Sequence, residues 1–444
     1  MDGVTLLGVA PVAAEQIRFM TAGSVDDGKS TLIGRLLLDA GALMRDQVDS
    51  LGDDAEALAS LTDGLEAERA QGITIDVAYR YFATPRARFI IADAPGHEQY
   101  TRNMVTAASA SDVAVIVIDA SRVEGGVLKP QTRRHAAIAA LMGLDIIVAV
   151  NKMDLVGWSE ARFNDIERAF AALADSLGIA GVTCVPVSAR AGDNVVHRGG
   201  ATWWAGPTLI DVLSQSNVTA DRSIGPLRLP VQTVLRAGVS RFYAGRVEGG
   251  VIRPGDMVQV GTQGVAATVA QVRVGGRAVI RADAGASVAV ELNEERDIAR
   301  GDVIVSPGAR YTRAVIADIC WLDENVWSKG RRYILRQGAL ETQALIESVN
   351  FIHDIEDFTR REAGSGLKLN DIASVRVSTR DPILADLYAA APGTGAFALF
   401  DAQSNQTCGA GMDGRAAHQP EDHQRPGRRD RHVGHRRQQH EQEH

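Results

Sequence analysis

Residues 23–35, GSVDDGKSTLIGR, have the composition and spacing of a loop that wraps a polyphosphate. Gly23 and Gly28 allow backbone N–H groups to converge on phosphate oxygens, and the N-terminus of the following helix adds its positive end. Lys29 is placed to reach the β- and γ-phosphates, and the Ser30 hydroxyl is placed to bind Mg²⁺. A plain glycine turn before a helix is the alternative, which the complete Gly-x4-Gly-Lys-Ser spacing disfavours.

Two further motifs supply groups for the metal and the γ-phosphate. The DAPGH motif follows an apolar run, so Asp93 can hold Mg²⁺ through water and the Gly96 N–H can sense the γ-phosphate. The GITI motif places Thr74 to close on the metal. His97 follows the sensing glycine and is predicted to orient the attacking water. The alternative for His97 is a loop histidine in contact with solvent.

The remaining two motifs select the base. In NKMD, the carboxylate of Asp154 can accept both N–H donors on the guanine edge, and adenine lacks that donor pair. In SAR, which begins at Ser188, backbone N–H groups can meet guanine O6. Each short motif is weak by itself, but five in chain order, most of them at strand ends, predict a GTP-binding site.

The catalytic group that we predict is His97 with Lys29 and Thr74, and the predicted Mg²⁺ ligands are Ser30, Thr74 and Asp93. The predicted nucleotide contacts are Gly23, Ser24, Val25, Asp26, Asp27, Gly28, Lys29, Ser30, Thr31, Asp93, Ala94, Pro95, Gly96, His97, Asn151, Lys152, Met153, Asp154, Ser188, Ala189 and Arg190.

Two adjacent carboxylates, Asp26 and Asp27, lie in a loop that must attract phosphate. Because the backbone N–H groups face the phosphates, these side chains can point away from them. Asp26 resembles the acid that related GTPases keep at this place, and that resemblance implies that it helps to hold a K⁺ ion beside the phosphates. A hydrogen bond to the loop backbone is the alternative. The sequence assigns no role to Asp27. His135, in the Arg-rich segment QTRRHAA, is predicted to have a surface or helix-capping role.

The fold class follows from alternating Val/Ile-rich runs and helix-length segments up to about residue 213, a pattern typical of a parallel α/β sheet covered on both faces. Beyond residue 226, short alternating segments broken by Gly and Pro indicate two all-β barrels. The predicted divisions are an N-terminal extension at 1–16, a P-loop GTPase domain at 17–222, barrels at 226–308 and 309–412, and a tail at 413–444.

Composition limits the function classes. A net charge of −8 gives no overall electrostatic reason to bind nucleic acid or an anionic membrane. The three cysteines are far apart, and we see neither a signal peptide nor a membrane span, so we expect a cytoplasmic protein. The tail contains six of the ten histidines and few apolar residues. We expect it to be disordered, with a metal-binding tract or a shifted reading frame as alternatives.

The motifs GSVDDGKS, GITID, DAPGHEQYTRNMVT and NKMD, followed by two β-rich domains, resemble those of translation-factor GTPases such as elongation factor Tu. AERAQGITIDVAYRYF and APGHEQYTRNM more closely resemble the GTPase subunit of bacterial heterodimeric sulfate adenylyltransferase. The resemblance covers residues 16–412. An elongation factor would be expected to have VDHGKT and DCPGHADY at these places.

This resemblance implies a GTPase that forms a heterodimer or larger assembly with a catalytic subunit, which joins ATP and sulfate into adenosine 5′-phosphosulfate and pyrophosphate. GTP hydrolysis would drive that uphill reaction through switch segments around Thr74 and Gly96. A translational GTPase that delivers charged tRNA and a defective or regulatory remnant are the alternatives. No second phosphate loop follows Met412, so we expect no adenylylsulfate kinase activity from this chain.

Two segments differ from the family pattern or suggest a partner contact. SRVEGGVLKPQT, at 121–132, is longer than the usual GVLxQT connection. The acidic stretch DSLGDDAEALASLTDGLEAERA is either a partner-facing helix or a solvated surface helix.

Overall fold

A computed structural model describes residues 15–43, 58, 76–96, 101–179, 181–216, 222–238, 240–294, 296–354, 359–362, 366–388 and 390–416. The acidic stretch that we considered as a partner-facing helix lies outside these residues, apart from Leu58, and so does the tail beyond residue 416. Within the described part of the chain, no helix is both long enough and apolar enough to cross a membrane.

The first domain is built on a six-stranded sheet in the order β2-β3-β1-β4-β5-β6. Neighbouring strands are parallel, except that the edge strand β2 runs antiparallel to β3. The strands are β1 (Glu15–Ala22), β2 (Ala78–Ala83), β3 (Ala87–Asp93), β4 (Val113–Asp119), β5 (Asp145–Asn151) and β6 (Thr183–Pro186). The predicted parallel α/β class is confirmed.

Helices cover both faces of this sheet. They are α1 (Lys29–Asp39), α2 (Thr101–Ser109), α3 (Pro130–Leu141), α4 (Glu160–Leu177) and α5 (Leu209–Gln215), with short 3₁₀ helices at Ala120–Arg122 and Met153–Val156. Every residue of the VAVIVID strand β4 is buried, since both of its faces are covered. Two apolar cores result, one on each side of the sheet.

The second domain is an antiparallel sheet with the strand path β7-β16-β11-β12-β15-β9-β8, to which β13 is added beside β12. The two ends of the path, β7 and β8, are consecutive in the chain, so the sheet curls back on itself around its own core. The strands are β7 (Arg228–Pro230), β8 (Thr233–Ala237), β9 (Ser240–Arg246), β10 (Val251–Ile252), β11 (Met257–Val260), β12 (Val265–Val274), β13 (Arg277–Val279), β14 (Ala282–Asp283), β15 (Ser287–Leu292) and β16 (Val303–Val305).

The third domain is a closed barrel. Its strand path is β18-β22-β23-β17-β21-β19-β20, and pairing of β18 with β19 closes a ring of six strands. The elements are β17 (Tyr311–Trp321), β18 (Arg332–Gln337), β19 (Leu340–His353), β20 (Arg360–Arg361), β21 (Ile372–Leu384), α6 (Pro392–Gly395), β22 (Ala396–Asp401) and β23 (Thr407–Ala416). Strand β23 therefore continues four residues beyond Met412, where we predicted that the tail begins, because its backbone still pairs with β17.

The domains share buried contacts. Met104 and Val105 of α2 belong to the same apolar core as Leu322 and Met412 of the third domain. Between the two barrels, Arg228 makes a two-point ion pair with Asp386, at 2.6 Å from Nε and 2.8 Å from Nη2. The side chains of this pair are only 7% and 12% exposed.

We expect the Arg228→Met substitution to destabilise the protein by about 3 kcal/mol, because it leaves the Asp386 carboxylate buried without its cation. Chemical unfolding measures this loss. Arg281→Met is the matched control, since Arg281 also pairs with an aspartate, Asp283, but both side chains are about half exposed at 51% and 48%. Equal losses in the two variants would contradict the structural importance of the interdomain pair.

Candidate nucleotide-binding site

The carboxyl ends of the parallel strands place the predicted motifs at one edge of the sheet. The phosphate loop follows β1, Asp93 ends β3, and Asn151 ends β5. Because these strands run parallel in one sheet, their carboxyl ends lie at the same edge, where ligands bind in open α/β sheets. Thr74 and His97 lie outside the described residues, so their predicted roles stay predictions.

Two glycines are required by the packing of the phosphate loop. Gly28 has a φ of 92°, and a Cβ there would overlap Nδ2 of Asn151. A Cβ on Gly96 would overlap Nζ of Lys29 and would lie 2.9 Å from the carbonyl oxygen of Gly23. The structure therefore brings together three segments that the sequence assigned to the phosphates: the loop, Lys29 and Gly96.

Lys29 is buried at the start of α1, with its ammonium group turned towards the loop. Nζ donates to the carbonyl oxygens of Gly23, at 3.0 Å, and Ser24, at 2.9 Å. Burial lowers the pKa of Lys29, while the charges of Asp93 and Asp27 act in the opposite direction. A buried ammonium group with this cost of desolvation favours an anion nearby, as a phosphate-binding lysine should.

Asp27 has a role that the sequence did not show. Its carboxylate is 1% exposed and accepts the backbone N–H of Ser24 at 2.9 Å through Oδ2. The other oxygen, Oδ1, lies 2.6 Å from Nζ of Lys129. The carboxylate is thus held by a backbone N–H of the loop and is neutralised by a cation from another part of the chain.

Asp26 has partners that the sequence did not predict. The residue has a φ of 63°, and its carbonyl oxygen accepts from Nζ of Lys152 at 2.6 Å. Its exposed carboxylate lies 3.4 Å from Nη1 of Arg122. The carboxylate therefore contacts Arg122. Among the described residues, it makes no hydrogen bond to the loop backbone, which was one of its two predicted partners.

The guanine-selecting segments are tied to the phosphate loop by Asn151. Its Nδ2 donates to the carbonyl oxygen of Asp27, and its Oδ1 accepts the N–H of Ala189, both at 2.9 Å. The SAR segment lies just after β6, which ends at Pro186. Asp154, which we predict to bind the base, is exposed.

Two residues that sequence reasoning missed support these segments. Asp119, buried at the end of β4, accepts from Lys152 Nζ at 2.8 Å and from the Ser121 hydroxyl at 2.6 Å. Burial raises the pKa of Asp119, but these hydrogen bonds outweigh burial and the net shift is downward. Arg35 of α1 donates to the carbonyl oxygen of Arg190 at 2.5 Å. The sequence could have indicated Asp119, because it is a charged residue at the end of an otherwise apolar strand. No pattern in the sequence indicated a role for Arg35.

The magnesium ligands that the structure describes fit the ion. Asp93 is 1% exposed, and its Oδ1 accepts from the Thr21 hydroxyl at 3.1 Å, which fixes the carboxylate at the strand end. Ser30 lies in the first turn of α1. Both residues offer oxygen, the donor that Mg²⁺ prefers, so they would suit an ion that takes its other ligands from phosphate oxygens and water.

The prediction for His135 was wrong. The imidazole is 1% exposed within α3, where it lies against the core. Its Nε2 is 2.9 Å from the side-chain amide nitrogen of Gln131, and its Nδ1 has no hydrogen-bond partner among the described residues. Burial, with the charges of Lys29 and Arg134, lowers the pKa of His135 to about 3. The neighbouring arginines suggested a surface position, but the helix turns this side chain inward.

We expect His135 to reduce stability as the pH falls. Because its folded pKa of about 3 lies below the ordinary value of 6.5, the unfolded chain takes up a proton between these values and the folded chain does not. Between pH 7.5 and pH 5.5, wild type should lose about 1.4 kcal/mol more unfolding free energy than His135→Gln does. His197→Gln, which changes an exposed histidine, is the control. Identical pH profiles for wild type and His135→Gln would contradict the prediction.

Comparison with known proteins agrees with this geometry. The family model described as Elongation factor Tu GTP binding domain matches residues 14–234, and the GTP-eEF1A C-terminal domain-like model matches residues 314–412. Sulfate adenylyltransferase subunit 1 of Vibrio parahaemolyticus is 42% identical over 411 residues, which cover 89% of this chain and 85% of that protein.

Two other similar proteins differ in how much of them is matched. The bifunctional enzyme NodQ of Rhizobium sp. strain N33 is 45% identical over 93% of this chain, which spans 65% of NodQ. The solved structure of sup35 complexed with GDP is 22% identical, with a TM-score of 0.43, over 94% of this chain and 97% of that chain.

The phosphate loop, the guanine-selecting segments and the two β domains, together with the family models, define a GTPase of the translation-factor superfamily. Its 42% identity with the Vibrio protein, over 89% of this chain, identifies the particular family within that superfamily. The chain belongs to the family of sulfate adenylyltransferase subunit 1.

Proposed function

We propose that this chain is the GTP-hydrolysing subunit of sulfate adenylyltransferase. GTP hydrolysis here would be coupled to the formation of adenosine 5′-phosphosulfate and pyrophosphate from ATP and sulfate, on a separate catalytic subunit. The observation that supports this most is 42% identity across 85% of a protein named sulfate adenylyltransferase subunit 1, in a chain that retains the nucleotide-site segments described above.

Within the site, each residue has a distinct task. Lys29 binds the β- and γ-phosphates, and Ser30, Thr74 and Asp93 would hold Mg²⁺. The ion, when bound, neutralises charge on the phosphate oxygens. His97 orients the attacking water, and the Gly96 N–H senses whether the γ-phosphate is present. Phosphoryl transfer in this class depends on positioning and charge more than on covalent chemistry. None of the roles proposed for these residues requires a side chain to attack the phosphate.

Coupling requires that a change at the γ-phosphate reaches a surface seen by the partner subunit. Helix α2 follows the Gly96 segment in the chain, and its Met104 and Val105 are packed in one core with Leu322 and Met412 of the third domain. Since a packed core has discrete alternative arrangements, displacement of α2 would repack this shared core and shift the third domain relative to the rest of the first. That displacement is the bistable element in our proposal.

The direct test is a GTPase assay of the purified chain with an ATP-binding sulfurylase subunit. We expect GTP hydrolysis to rise when ATP and sulfate are both added, and adenosine 5′-phosphosulfate to accumulate only with GTP. Hydrolysis that is indifferent to ATP and sulfate would contradict the function. GTP-dependent binding of a charged tRNA would instead support the translational alternative.

Asp154→Asn identifies which nucleotide drives the reaction. An amide at this position cannot accept both guanine N–H donors, but its NH₂ can donate to the 2-oxo group of xanthine. We expect GTP-driven product formation to fall by about a hundredfold and xanthosine triphosphate to restore it. Glu160→Gln, an exposed change nearby, is the control. Unchanged GTP dependence in Asp154→Asn would show that the coupled nucleotide is bound elsewhere.

A K⁺ ion at Asp26 remains a separate proposal. The Arg122 contact already offsets the Asp26 charge, so K⁺ would have to displace the guanidinium group from the carboxylate. Stimulation of hydrolysis by K⁺ over Na⁺ that disappears in Asp26→Ala would support the cation site, and equal rates in the two salts would exclude it.

A further inference from the structure

The Asp27–Lys129 ion pair joins the phosphate loop to a segment 102 residues later in the chain. The carboxylate is 1% exposed, whereas the lysine side chain is 26% exposed and reaches in from the surface. The separation between Nζ and Oδ1 is 2.6 Å. The Asp27 carboxylate is therefore shielded from water, so removal of the Lys129 ammonium group would leave a buried charge without a partner, which is destabilising.

Lys129 is held in position by the backbone that carries it. It is the N-cap residue of α3, with φ −60° and ψ 147°, and Pro130 occupies the first turn of the helix. Proline restricts the preceding residue to an extended conformation and is itself suited to a helix start. The Lys-Pro dipeptide thus fixes the backbone from which the Lys129 side chain extends to Asp27.

The other nearby cations are engaged with different groups. Lys29 donates to the carbonyl oxygens of Gly23 and Ser24, and Lys152 contacts the Asp26 carbonyl oxygen and Asp119. Asp27 itself uses its second oxygen to hold the Ser24 N–H. Among the described residues, Lys129 therefore supplies the direct ion pair of a carboxylate that shapes the first turn of the loop.

We propose that Lys129 is a positioning residue for the nucleotide. By neutralising Asp27, it keeps that carboxylate bound to the Ser24 N–H and cancels a buried negative charge within the phosphate loop. Without Lys129, the buried Asp27 charge would repel the bound nucleotide. GTP carries one more negative charge than GDP, so its affinity should fall further. The proposal rests on nucleotide binding by this loop and does not require coupling to sulfate activation.

The test is a double-mutant cycle on the full chain, with fluorescent GTP and GDP analogues titrated at low salt. We expect Lys129→Met to weaken GTP binding about tenfold and GDP binding less. In an Asp27→Asn background, which removes the charge and keeps an acceptor for Ser24, Lys129→Met should change GTP affinity by less than about twofold. Lys129→Arg, which keeps the charge, should retain most of the affinity.

Arg122→Met is the matched control, because Arg122 also pairs with an aspartate of the same loop, but both side chains are at least half exposed, at 50% and 64%. Arg122 also lies 3.6 Å from the buried Asp119, which keeps its closer partner Lys152 in this variant. We expect it to change GTP affinity far less than Lys129→Met does. Three results would overturn the proposal: equal losses in both Asp27 backgrounds, equal losses of GTP and GDP affinity, or unaltered affinity in Lys129→Met. If Lys129 had a purely structural role, its removal would lower the unfolding midpoint and leave the GTP-to-GDP affinity ratio unchanged. Failure of wild type to bind either nucleotide would instead count against the GTPase function.

Discussion

A phosphate loop must direct its N–H groups at the ligand, and this constraint decides what the rest of the site has to provide. The carbonyl oxygens and acidic side chains of the loop then need partners of their own. Lys29 donates hydrogen bonds to the carbonyl oxygens of Gly23 and Ser24. Asn151 donates to that of Asp27, and Lys152 donates to that of Asp26. The Asp27 carboxylate receives Lys129. The guanine-selecting strand end therefore also supports the phosphate loop.

This arrangement explains why the site depends on a parallel sheet. Parallel neighbours end at the same edge, so Asn151 at the end of β5 can reach both the loop after β1 and the Ala189 N–H after β6. Buried acids at this edge are tolerated because each has a donor: Asp93 has the Thr21 hydroxyl, and Asp119 has Lys152 and Ser121. The strands themselves are continuous apolar runs, which is what burial on both faces requires.

The sequence predicted well those features that depend on local pattern. The apolar runs and the glycine motifs identified the α/β class, the two β domains and the segments that converge at the strand ends. Side-chain partners distant in sequence were not predictable, because no local pattern relates Asp27 to Lys129 or Arg35 to the SAR segment. His135 was misplaced for a related reason: its arginine neighbours indicated a surface, but only the packing of α3 shows which face of the helix is buried.

The same packing explains how a site of a few atoms can influence a large surface. Gly96 lies against Lys29 so closely that a single added carbon would not fit, and α2 follows that segment in the chain. Met104 and Val105 of α2 share their core with the third domain, while Arg228 and Asp386 join that domain to the second. A change at the γ-phosphate would therefore act on closely packed residues of the first and third domains. The buried Arg228–Asp386 ion pair would then link movement of the third domain to the second. The two β domains are thus connected to each other and to the nucleotide-binding domain, so a displacement in that domain would move them together.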